Sequence, residues 1–88
     1  MKVKFEKGSA EWQLFMGLWN LCQDYWQVEP DNDDYWDKFM ADSEKFRRTI
    51  CESTDSTPKG NALKFLTRHM LTAVHEYINF MDEIERKK

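Results

Sequence analysis

Apolar residues recur at helical spacing in three stretches of the chain, separated by polar intervals that read as turns. From about residue 9 to 27, Trp12, Phe15, Met16, Trp19, Cys22 and Trp26 fall at i, i+3, i+4, i+7, i+10 and i+14, the repeat of one helical face. Leu14, Leu18, Leu21 and Tyr25 run in a second line beside it. The combined face is too broad for one neighbour and suits a helix packed against two. The spacing places the tryptophan line on the core seam, which Phe15 and Cys22 complete. Its rival reading is an exposed aromatic platform for a ligand or single-stranded nucleic acid, because bases stack on open rings. Gly17 lies in the middle of this helix at a propensity cost of about 1 kcal/mol, and a close approach by another helix would account for it.

Val28 to Asp34 is a turn by composition. Pro30 stops the first helix, and the Asp/Asn cluster offers N-caps for the next. The second helix, about 33–51, places Trp36, Phe39, Met40, Phe46 and Ile50 on one side, with Ser43 in the remaining slot. Asp34 and Asp37 stand near its positive end, Arg47 and Arg48 near its negative end. A polar loop follows, and Thr57-Pro58 reads as an N-cap with proline at the first helical position. The third helix, about 58–86, carries the stripe Leu63, Leu66, Met70, Ala73/Val74, Tyr77, Met81 and Ile84, with Lys64, Arg68, Thr72, His75, Asn79 and Glu83 on its polar side.

At 1.5 Å per residue the third helix would be about 42 Å long against about 28 Å for the first. The surplus stripe must meet the N-terminal arm, break into a further helix, or meet another chain. The first seven residues alternate with period two, so residues 1–8 read as a short extended arm that docks Val3 and Phe5 on the bundle, ahead of Ser9 as N-cap. The expected fold is all-α: a single-domain three-helix bundle with a long C-terminal helix.

Composition supports this. Eighty-eight residues, 15% of them aromatic, make one small domain rather than a disordered chain. No apolar run approaches the roughly 18 residues of a membrane span. The charged start, Lys2 to Lys7, is unlike a secretory signal. The cytoplasm is therefore the expected compartment. Cys22 and Cys51 match no redox or metal spacing and are expected to stay reduced.

Charge is segregated. Residues 8–44 hold nine acidic residues and one basic, whereas residues 45–70 hold six basic and two acidic. An acidic face of Asp24, Glu29, Asp31, Asp33, Asp34 and Asp37 would steer a partner with a basic surface. The plainer reading is that these charges are solvated or answer one another within the fold. Asp-Tyr-Trp occurs twice, at 24–26 and 34–36, too short a match to carry a duplicated recognition element.

Candidate chemistry adds little. A calcium loop starting at Asp31 fails at positions 5, 6 and 12, filled by Tyr35, Trp36 and Asp42. His69 and His75, six apart, cannot form an i, i+4 metal pair. No nucleophile elbow or phosphate-cradling glycine loop is present, so no cofactor, metal or catalytic residue is expected. A pI near 5.3 argues against nucleic acid as partner. No motif ties the chain to a family; its small, acidic, Trp-rich make-up is like that of phage and mobile-element accessory proteins in composition alone. The expected function is non-enzymatic protein–protein interaction. One form is self-association as a homo-oligomer through the third helix, by Tyr77, Phe80, Met81 and Ile84. The alternative is an acidic-faced inhibitor or adaptor that mimics nucleic acid and occupies a basic site on its partner.

Overall fold

In a computed structural model describing residues 4–88, three helices pack pairwise: α1 (Ala10–Tyr25), α2 (Asp33–Ser53) and α3 (Pro58–Arg86). No strand is present among the described residues. Each helix begins at a side-chain cap. Ser9 Oγ accepts from the Trp12 N–H, Asn32 Oδ1 from Tyr35, and Thr57 Oγ1 from Gly60. Each cap satisfies a backbone donor that the first helical turn leaves free. Pro58 follows Thr57 at the start of α3, where its missing N–H costs nothing.

The N-terminal arm turns back on itself. The Ser9 N–H donates to the Glu6 carbonyl at 3.0 Å, and Gly8 at φ 90° supplies the left-handed residue such a turn needs. The expected docking holds for Phe5, whose ring stacks on Phe15 at 5.4 Å and 3° between planes. Val3 lies outside the described residues.

The core keeps most of the expected seam on α2, where Phe39, Ser43 and Ile50 are buried and Trp36 and Phe46 pack beside them, and departs from it most on α1 and α3. On α1 the leucine line faces inward: Leu14, Leu21 and Tyr25 are buried, while Phe15, Trp19 and Trp26 are exposed. Two adjacent apolar lines are indistinguishable by period, and packing decides between them. Leucines let neighbouring helices close to the usual 8–10 Å, and Gly17 lets the Phe46 ring lie where a Cβ would stand 2.7 Å from it. Indoles on that line would hold α2 off.

On α2 the inward line is Tyr35, Phe39, Ser43 and Ile50, and Met40 is turned out. Arg47 and Arg48 do not cap a helix that continues to Ser53; both reach back toward Glu44. On α3 the buried positions are Gly60, Thr67 and Ile78, with Leu71, Val74 and Met81 packed at the core margin. Leu66, Tyr77 and Ile84 from the expected stripe are exposed. Thr67 can be buried because its hydroxyl donates to the Leu63 carbonyl at 2.8 Å, so no polar group is stranded.

α3 is unbroken, and its surplus length is met by the α1–α2 turn rather than by the N-terminal arm. The Pro30 carbonyl accepts from Trp36 Nε1 at 3.1 Å and from Arg86 Nη2 at 2.9 Å. Arg86 also approaches Asp31 at 3.6 Å. The turn between two helices is thereby fastened to the last turn of the third.

Candidate functional site

His75, expected on the polar side of its helix, is half-buried. Its ring packs 4.6 Å from that of Phe39, and its Nε2 lies 3.1 Å from Ser43 Oγ. Burial holds its pKa below the ordinary 6.5. Above about pH 6.5 the ring is neutral in folded and unfolded chains alike. As pH falls, the unfolded chain takes the proton first, so stability declines down to the folded pKa and then levels. Urea midpoints measured between about pH 8 and pH 5 should fall for the native chain. The decline should be smaller for His75→Gln, and equal declines would remove His75 from the account. Ser43 and His75 satisfy each other across the α2–α3 interface.

The acidic residues serve the fold in several places. Asp33 and Asp34 occupy the first turn of α2, where carboxylates favour the helix dipole. Asp31 faces Arg86. Asp24 borders the groove between α1 and α2, together with Asp42 and Lys45. Glu29 lies in the connecting turn, and Asp37 is exposed on α2. Lys59 reaches Glu11 at 2.7 Å. Acidic front and basic middle thus meet in part across the bundle. Asp42 also accepts from the Tyr25 hydroxyl, and burial with this carboxylate raises the Tyr25 pKa. Among the described residues no three His, Cys, Asp or Glu side chains come together as a metal site. No helix there is long and apolar enough to cross a membrane.

The residues displaced from the core assemble elsewhere. Phe15, Leu18, Trp19, Cys22, Gln23 and Trp26 line a shallow concavity of about 750 Å³ on the flank of α1. Burial pushes the Cys22 thiol up, which keeps it protonated and unreactive. Trp26 stacks on Tyr77 of α3, centroids 4.2 Å apart and planes within 16°. This contact joins the flank of α1 to the outward side of α3, where Leu66, Tyr77 and Ile84 recur at i, i+11 and i+18 on one helical face. Trp19 is 62% exposed, Trp26 49%, Phe80 67% and Ile84 48%. Of the four third-helix residues expected to self-associate, Tyr77, Phe80 and Ile84 lie out on this face, and Met81 packs against the core.

The charge pattern of α1 is the clearest sign that this face is special. Its sixteen residues include only two charges, Glu11 and Asp24. Glu11 is paired with Lys59, and Asp24 lies on the α2 side. The outward half is Phe15, Met16, Trp19, Asn20 and Gln23, without a lysine or arginine. A solvent-facing helix ordinarily carries charges there, and a helix apolar all round is a buried one. The sequence held this signal in the near absence of charge from residues 9 to 23, but the tryptophan periodicity pointed the same residues inward. No protein-family model, curated protein or solved structure matches the chain.

Proposed function

We propose that the protein is a non-enzymatic interaction module whose working surface is the apolar face shared by α1 and α3. The observation that carries this reading is the exposure of Phe15, Trp19 and Trp26 on a helix flank without charge, continuous through Trp26 and Tyr77 with the apolar side of α3. Contiguous apolar surface of this kind on a small domain marks a place where another macromolecule sits. Large aromatic rings supply much of the binding energy at such sites.

Photo-crosslinking in the cell tests the assignment. A benzoylphenylalanine at position 19 should give protein adducts, whether to a foreign protein or to the chain itself. The same group at Arg48, exposed on α2, should give few. Equal yields from the two positions, or none from position 19, would overturn the reading.

A further inference from the structure

We infer that the occupant of this face is a second copy of the same chain, laid antiparallel across it; the inference rests on the interaction reading above and names its partner. Three observations carry it.

The first is the spacing of the α1 flank. Phe15, Trp19, Cys22 and Trp26 are separated by four, three and four residues, a sequence of intervals that is the same in either direction. An antiparallel copy sets Phe15 against Trp26 of the second copy and Trp19 against Cys22 of the second copy, then repeats both contacts across a two-fold axis. Large rings meet at the ends, and the two Trp–Cys pairs fill the middle. A two-fold interface sets one patch against itself, and the equal end spacings let all four residues of each copy meet in register.

The second is area. The exposed parts of Phe15, Trp19, Trp26, Tyr77, Phe80 and Ile84, on side chains of about 150–250 Å² each, leave about 600 Å² of apolar surface. Phe5 and Leu66 extend it toward the roughly 800 Å² per partner of a standard stable interface.

The third is charge. The chain is acidic, at −3, so two copies repel wherever their acidic surfaces face. Asp31, Asp33, Asp34 and Asp37 belong to the turn and the start of α2, off the uncharged flank. Two copies meeting along the α1 flank bring no carboxylate of that flank into the contact, and Glu76 and Glu83 stand only at its α3 margin, beside Phe80. A basic partner would find no carboxylate along Phe15, Trp19, Cys22 and Trp26 to answer its charge.

Sedimentation equilibrium of the full chain, from low micromolar to about 1 mM, tests the inference. The native chain should sediment at twice 10.7 kDa. Trp19→Glu and Phe80→Glu should each raise the dissociation constant at least about 30-fold, because the two-fold repeats each change. Arg48→Glu should leave it unchanged. Circular dichroism checks that the variants stay helical, as the exposure of both side chains predicts. A benzoylphenylalanine at position 15 should crosslink within the dimer to the peptide containing Trp26; a crosslink to the peptide containing Phe15 would overturn the antiparallel arrangement. A dimer that persists in both glutamate variants uses another surface and overturns the inference. So does a native chain monomeric throughout, although adducts of position 19 with a foreign protein would then leave the interaction module standing.

Discussion

Truncating Phe39 to alanine should cost about 3–5 kcal/mol and leave a large part of the chain unfolded at room temperature. Phe39 is 2% exposed and stands at the centre of the aromatic cluster. Its ring meets Tyr25 at 5.1 Å, Tyr35 at 6.3 Å, Trp36 at 6.4 Å and the His75 imidazole at 4.6 Å. All three helices therefore touch this one side chain, and none can close over the void without moving away from the others. Small domains bury a smaller share of their surface than large ones, and total stability is only about 5–15 kcal/mol, so the loss is a large fraction of the whole. Urea titration followed by circular dichroism should show the midpoint displaced far toward zero denaturant. Phe65→Ala, exposed on α3, should move it by no more than about 0.5 kcal/mol. Similar shifts in the two variants would mean that the core does not centre on Phe39.

Gly60→Ala should be destabilising although it replaces glycine by the best helix former. At an ordinary helical position the change gains about 1 kcal/mol. Here an added Cβ would stand 2.2 Å from the Asp55 carbonyl oxygen and 2.5 Å from Asp55 Oδ1. The first of these is backbone and cannot swing aside. The loop before α3 would have to move, and Asp55 with it, whose carboxylate accepts from the Thr57 N–H at 3.1 Å and from the Thr57 hydroxyl. Those bonds hold its pKa below the usual carboxylate range. The displaced loop would take the Thr57 cap out of line, adding to an overpacking cost of about 1–3 kcal/mol. Thermal denaturation should show a lower midpoint for Gly60→Ala; a midpoint equal to or above that of the native chain would show that the loop gives way freely.

Local sequence signals mark where helices begin more firmly than which side of each faces inward. Ser9, Thr57 and Pro58 cap α1 and α3 as their chemistry predicts, and the third helix ends at Arg86 as expected. The breaks fall near the expected places, although α1 already ends at Tyr25, ahead of Pro30, and α2 runs on through Glu52 and Ser53 of the polar run. Facing is different, since it depends on which apolar line packs more closely against helices far away in sequence. On α1 the leucines win because Gly17 admits Phe46. On α3 the inward line passes through Gly60 and Thr67, neither of which counts as apolar in a periodicity. On α2 Trp36 masks its neighbour Tyr35 in the periodicity, and Met40, at the edge of the face that Phe39 and Ser43 centre, turns out to solvent. The candidate surface was accordingly legible in part. Tyr77, Phe80 and Ile84 were read from the surplus of the third helix. Phe15, Trp19 and Trp26 required the structure, because an aromatic line on a helix has the same period whether it faces a core or a partner.

The bonds that Pro30 accepts have a consequence for how the chain is made. Residues 10–53 can form two helices and their connection as soon as they leave the ribosome. The carbonyl at Pro30 can accept from Trp36 at that stage, but its second donor lies 56 residues downstream, at Arg86. Ile78, buried in the same core, is also among the late residues. Until α3 is made, the aromatic cluster around Phe39 lacks the Ile78 and His75 that cover it. The bond that ties the last turn of α3 to the turn made first can form only once Arg86 has been added.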